Sequence, residues 1–242
     1  GKVIGNMIGK QVAKPYNQIR KVYGLKPIQS SDEIISRKLN LIPISKHVLE
    51  RNPYWEEQHV LTGYWYEKEE AYSPDEKLAA FLAGGEKPIL LALGAMAFED
   101  KSEKEKLDLF VNAFRKAGYR AIIQGFQKTL QNYELPETMI ACGSVPHSYL
   151  FKQCAFVIHH CGFGTAAATM IHGIPSIPVP HVLDQMGFAK QLHEINVATK
   201  PLNSKDLSED SIYAAIIEMQ SEYEEKKKNA ELISAKIKEE GG

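Results

Sequence analysis

The segment richest in chemistry is Val157-Ile-His-His-Cys-Gly-Phe-Gly-Thr165, where an apolar run enters Gly-x-Gly-Thr and then an alanine-rich stretch. Gly162 and Gly164 permit a tight turn and leave no Cβ in the way of an approaching ligand. The unpaired N–H groups and the dipole at the start of the following helix favour an anion. Thr165 adds a hydroxyl donor, and His160, just before the turn, can give a further hydrogen bond to a phosphate oxygen. A plain strand–helix turn with glycines for packing alone is the structural alternative. Gly162 to Ala167 also fits G-x-G-x-x-A, the dinucleotide fingerprint, with Asp184 about 20 residues on. Against that reading, three strand patterns precede the turn, and Asp184 follows a Pro-x-Pro segment instead of ending a strand.

Two further loops carry candidates. Pro180-His-Val-Leu-Asp-Gln185 sets the Asp184 carboxylate beside the Gln185 amide, a pair suited to sugar hydroxyls, which both donate and accept. The alternative is that Asp184 caps the next helix. Gly143-Ser-Val-Pro-His147 is a strand-end loop or an ordinary proline turn. His159-His160-Cys161 does not make a metal site, because adjacent strand residues point to opposite faces. Neither H-E-x-x-H nor a paired Cys motif is present.

These loops need elements to hold them. Ile89 to Leu93 is a continuous apolar run, the pattern of a strand buried on both faces. Ser102-Glu-Lys-Glu105 has capping-box spacing, Leu107, Phe110, Val111 and Phe114 follow at helical period, and Gly118 closes the helix. Strands are predicted over 119–124, 139–142 and 155–159, a helix over 165–172, and helical patterns from about Gln185 and from about Leu207 to the end. The charged run 222–240, sparse in apolar positions, is expected as a solvated helix. Alternating strands and helices predict a Rossmann-like α/β fold, a parallel sheet covered by helices on both faces. Ligands of such sheets sit beyond the carboxyl ends of the strands. That directs attention to residues 94–98, 124–127, 143–147, 160–165 and 180–185. Earlier in the chain, residues 17–24 resemble a helix end stopped by Gly24, and 41–45 and 60–65 read as short strands. The expected divisions are residues 1–66, a linker with a short helix over 67–86, and the main domain over 87–242.

Composition sets the bounds. The chain has 242 residues, 44% hydrophobic and 24% charged, with a formal net charge of −1. That is enough chain to bury a core, and there is no bulk field to draw it onto nucleic acid. No apolar run reaches the length of a membrane span, and no secretory signal is visible. Cys142, Cys154 and Cys161 are odd in number and lack CxxC spacing, so reduced thiols and a cytoplasmic location are expected.

Several motifs stand in one order: Val60-Leu-Thr-Gly-Tyr-Trp65, Phe81-Leu-Ala-Gly-Gly-Glu-Lys-Pro88, Leu93-Gly-Ala-Met96, Val145-Pro-His147, His160-Cys-Gly-Phe-Gly-Thr165, Gly173-Ile-Pro175 and Asp184-Gln185. In this set the chain resembles the C-terminal domain of the family 1 glycosyltransferases, in the bacterial macrolide, antibiotic and sterol glucosyltransferase branch. The resemblance implies one lobe of a glycosyltransferase-B fold that binds a UDP- or TDP-hexose donor. It implies that His160, Gly162, Gly164 and Thr165 hold the diphosphate, with Ala95 facing it. It further implies that Val145 meets the base through its backbone and that Asp184 and Gln185 bind the transferred hexose. No metal or cofactor is implied, and the reaction is an inverting transfer to a small lipophilic acceptor. Ser144 replaces the tryptophan and Ala168 the glutamate of the plant-type signature. The catalytic base belongs to an N-terminal lobe of which residues 1–66 resemble the end. The chain begins at Gly1, and the rest of that lobe is expected either on the same polypeptide or from a partner. The alternatives are a donor-binding subunit active only when docked to a partner, a nucleotide-sugar epimerase, and an NAD-binding protein.

Overall fold

A computed structural model describes residues 2–29, 33, 35–66, 71–94 and 103–241. The chain divides into two compact units, residues 1–46 with 50–62, and residues 47–49 with 63–242. The first unit holds helix α1 (Lys2–Val22) and two short strands, β1 (Asn40–Ile42) and β2 (His59–Leu61). Gly24, at φ 65°, turns the chain out of α1, as expected of a left-handed helix stop. The Asn17 side chain then ties the helix to the segment that follows, donating to Ile28 O at 2.9 Å and accepting from Ile28 N at 2.8 Å. β1 and β2 pair in parallel, with Leu41 opposite Val60.

The second unit continues with α2 (Glu76–Ala83), β3 (Ile89–Ala92), α3 (Glu103–Ala117), β4 (Ala121–Gln124), α4 (Gln127–Leu130) and β5 (Met139–Cys142). After these come α5 (His147–Gln153), β6 (Val157–His159), α6 (Phe163–His172), β7 (Ser176–Pro178), α7 (Leu183–Glu194), α8 (Glu209–Ser221) and α9 (Tyr223–Glu240). The predicted Ser102 capping box and the start of the predicted linker, 67–70, lie outside the described residues. Strands β5-β4-β3-β6-β7 form one sheet, parallel throughout. The expected α/β class is borne out, with each strand short and all but the end of β4 and the second half of β5 buried.

Period-two alternation builds the core on both faces of this sheet. Ile89, Leu91, Ile123 and Ile158 pack with Leu107, Phe110 and Phe114 of α3 and with Ile212, Ile216 and Met219 of α8. Leu90, Ala92, Ile122, Ile140 and Val157 face the other way, toward Leu78 of α2 and Leu150 and Phe151 of α5. Each such side chain, fully buried, contributes roughly 1.5–3 kcal/mol of transfer free energy.

The C-terminal region departs from expectation. The helical pattern after Leu207 is two helices, α8 and α9, meeting at Glu222. α9 is not a solvated helix, because it docks along α6. Lys226, Ala230, Ser234 and Ile237 are buried. Ser234 Oγ donates to Ile171 O at 2.6 Å and Lys227 Nζ to Gly173 O at 2.8 Å. The buried face is made of Ala230, Ser234, Ile237 and the aliphatic stem of Lys226, whose ammonium reaches Glu222 at 2.9 Å and Asn196 Oδ1 at 2.9 Å. A count of large apolar residues registers only Ile237 on such a face.

Candidate functional site

β3 and β6 are neighbours, with Ala92 opposite His159. β4 and β5 extend the sheet on one side of this pair and β7 on the other. The crevice where such a strand order reverses is the expected binding place of an open α/β sheet. Here it lies between the turn after β3 and the turn after β6.

The turn after β6 is shaped by three residues with different duties. Cys161 takes the left-handed conformation, φ 60°, and is fully buried. The left-handed residue of this turn is thus Cys161, whereas Gly162 has φ −57° as the residue capping α6. Gly162 is needed for a different reason: the His160 ring fills the space its Cβ would take. A Cβ on Gly94, across the crevice, would stand 2.6 Å from His160 Cε1, and one on Gly162 would run into Nε2. The backbones at the ends of β3 and β6 thus both close on one imidazole. Gly94 also sits at φ 71°, so its position demands glycine twice over.

From Gly162 the chain enters α6 directly, with Ala166 N donating to Gly162 O at 2.9 Å. The earlier N–H groups of this turn have no carbonyl within the helix to receive them. A Cβ placed on Gly164 would meet nothing within 4 Å, so the approach to these donors is open. The side chain beside them, Thr165, lines a cleft of about 670 Å³. Gly94, Gln124, Gly143, Ser144 and Val145 line it as well.

The imidazoles here are held neutral. Burial pushes His160 below its ordinary value, with the Ala92 backbone and the Asp184 charge pulling partly the other way. Burial does the same to His147 and His181. His159 is fully buried, with its Nδ1 accepting from Cys161 N at 3.2 Å, and burial pushes it down to about 3. Burial raises the Cys161 thiol far above its usual range, and Cys142 goes to about 11, so neither is a thiolate nucleophile. Nδ1 of His160 is buried without a partner among the described residues.

The predicted residues fall into three sets. Val145 and Thr165 line the cleft, and His160, Gly162 and Gly164 build the turn that ends at Thr165. Asp184 and Gln185 open α7, beyond β7, and do not line the cleft, although the Asp184 charge acts on His160. Ala95 lies outside the described residues. Gln185, not Asp184, caps α7: its buried Oε1 accepts from His181 N at 2.8 Å and Val182 N at 3.3 Å. Asp184 is left exposed.

Sequence reasoning pointed to 124–127 as a place to look but named no residue there. Gln124 ends β4 and donates through Nε2 to Gly143 O at 3.1 Å and Val145 O at 3.0 Å. Glu103, which also lines the cleft, accepts from Thr129 N at 3.1 Å and Thr129 Oγ1 at 2.6 Å, pinning α4 beside it. A polar residue closing a strand at this edge was the available signal. Among the described residues no three His, Cys, Asp or Glu side chains gather to hold a metal ion, and no helix is long and apolar enough to cross a membrane.

Comparison with known proteins bears on this arrangement. Residues 121–239 match the family of erythromycin biosynthesis protein CIII-like C-terminal domains. The chain is 30% identical to O-mycaminosyltylonolide 6-deoxyallosyltransferase of Streptomyces fradiae over 205 residues, 83% of this chain and 47% of that protein. It is 32% identical over 168 residues to the sterol 3-beta-glucosyltransferase of Candida albicans, 64% of this chain and 11% of that protein. It therefore spans less than half the length of either relative. In fold it is similar to the spinosyn rhamnosyltransferase SpnG complexed with thymidine diphosphate, with a TM-score of 0.66 at 18% identity, covering 92% of this chain and 57% of that one. That likeness is to the glycosyltransferase-B architecture.

Proposed function

From the match of residues 121–239 to the erythromycin biosynthesis protein CIII-like C-terminal domains, we propose that the chain binds a nucleoside diphosphate sugar, a UDP- or TDP-hexose, as the donor half of an inverting, metal-independent glycosyltransferase. The observation that carries this reading is the crevice between β3 and β6. There the His160 ring is wedged between Gly94 and Gly162 beside the open start of α6. Uncharged donors and a helix dipole suit a diphosphate, whose charge grows as it leaves. A neutral His160 offers its N–H to the outer phosphate. Asp184 and the amide nitrogen of Gln185 take hydroxyls of the hexose at the β7 side. The acceptor is small and lipophilic, and its proton goes to a base on the other lobe.

A second reading has an observation of its own. Phe163, Val182, Leu183 and Met186 are exposed along the strand-end side, Leu183 at 87%. Such an apolar rim favours a donor-binding subunit that acts docked to a partner lobe. The NAD reading loses ground for two reasons. The glycine turn follows β6, not the first strand of its sheet, and Asp184 opens a helix instead of closing a strand. An epimerase needs catalytic carboxylates in the cleft, and among the described residues lining it Glu103 alone carries one, already bonded to Thr129.

Calorimetric titration with UDP, UDP-glucose, TDP-glucose and NAD tests the proposal. Binding of a uridine or thymidine diphosphate that is lost in His160→Ala is expected. In an intact enzyme, loss of one such donor lowers the rate by a factor of roughly 10² to 10³. Asp184→Ala should weaken the nucleotide sugar and spare the bare nucleotide. NAD binding, or nucleotide binding unchanged in His160→Ala, would overturn the reading.

A further inference from the structure

The cleft has two ends of different chemistry. One is Thr165 at the start of α6, the other the pair of loops that follow β4 and β5. The β4–β5 ladder stops at Gln124 opposite Cys142. Beyond that point the β5 loop takes its shape from a side chain. One amide nitrogen, Gln124 Nε2, holds both carbonyls that flank Ser144, those of Gly143 and Val145. The Val145 N–H in turn donates to Gly143 O at 2.9 Å, so the loop closes on itself within three residues. Gly143, Ser144, Val145 and Gln124 all face the same cleft.

On the donor-site reading, a diphosphate seated at Thr165 leaves the loops after β4 and β5, in the same cleft, to its nucleoside. A base is told from other bases by hydrogen bonds to its edge, and such groups must be held to within about 0.5 Å. A three-residue loop outside the ladder meets that demand only if something fixes it. We infer that Gln124 is the positioning residue for nucleobase recognition. It sets the backbone of residues 143–145, and through it the preference for one nucleoside diphosphate over another. This inference rests on the donor-site reading and adds a residue to it. Gln124 need not touch the ligand to act, because the carbonyls it holds belong to the loop that lines the cleft.

Two variants and three kinds of probe test it. Gln124→Met keeps the length of the side chain and removes the donor. Gln124→Glu keeps its shape and sets a carboxylate against two carbonyls. The full chain is titrated with UDP, TDP and ADP, and with inorganic pyrophosphate, which reports the α6 end and the integrity of the fold. Both variants are expected to bind the preferred pyrimidine nucleotide roughly tenfold more weakly or worse, as for two lost hydrogen bonds, with pyrophosphate within about twofold of the parent. The preference over ADP should fall toward unity. Equal losses for nucleotide and pyrophosphate, or a preference left intact, would overturn the inference while the donor-site reading stands. Failure of the parent chain to bind any nucleoside diphosphate would overturn that reading, and this one with it.

Discussion

Gly162 and Gly164 stand two residues apart and do opposite work. At Gly162 the missing Cβ makes room for the His160 ring, an internal need. At Gly164 nothing internal claims the space, so what the glycine preserves is access. Alanine substitutions should therefore separate stability from binding. Gly162→Ala must displace an imidazole already packed against Gly94, and is expected to cost about 1–3 kcal/mol. Gly164→Ala should leave stability unchanged or raise it by up to about 1 kcal/mol, since alanine is the better helix former, yet weaken binding of the diphosphate. Urea melts and calorimetry on the pair decide this. A destabilised Gly164→Ala protein with full affinity would refute the assignment of that face to a ligand.

At the scale of elements, the packing of α9 on α6 depends on a glycine as well. Gly173 ends α6 at φ 62°, and a Cβ there would stand 3.1 Å from Glu231 Cα and 3.3 Å from Ala230 O. Both the backbone conformation and the close approach of α9 disfavour a side chain there. Gly173→Ala is expected to lower stability by about 1–3 kcal/mol and to loosen the C-terminal helix first. Amide exchange should show protection lost along α9 before it is lost in β3 and β4. Uniform loss across the sheet would mean that α9 is no separate unit. The cost arises from two packed backbones and needs no large apolar side chain, which is why the charged run of residues 222–240 reads as solvated when only its apolar content is weighed.

For the whole molecule, the buried histidines make stability depend on acid. In the folded chain burial holds His159 near 3, and it lowers His147, His160 and His181 as well. An unfolded histidine titrates near about 6.5. Above that pH both states are neutral and the full stability is present. As pH falls below it, the unfolded chain takes up protons that the folded chain refuses. Stability should thus drop from about pH 6.5 downward, by about 1.4 kcal/mol per pH unit for His159 alone. His159→Gln, which keeps an acceptor for Cys161 N, should flatten the slope between pH 7 and pH 5 by one proton. An unchanged slope in that variant would show that His159 does not carry it.

The sequence by itself determined four of the five strands of the sheet, β3 to β6, the turn after β6 and the resemblance to macrolide and sterol glycosyltransferases. Those features are local. Period-two and period-3.6 patterns follow from backbone geometry, and Gly-x-Gly-Thr after an apolar run is legible because a turn and a helix start need those residues in that order. Helix α6 begins two residues before its predicted start, since Phe163 and Gly164 already belong to its first turn. Only the tertiary structure decided the rest. Gly94 and Gly162 close on His160 from strands separated by more than sixty positions. Gln185 is spent on capping α7, and Gln124 reaches a loop on the neighbouring strand. In each case the partner is distant in sequence, or one of two adjacent polar side chains wins a backbone group. Neither outcome follows from residue type and spacing, because the competition is settled by which carbonyl or N–H lies within reach once the strands are laid side by side.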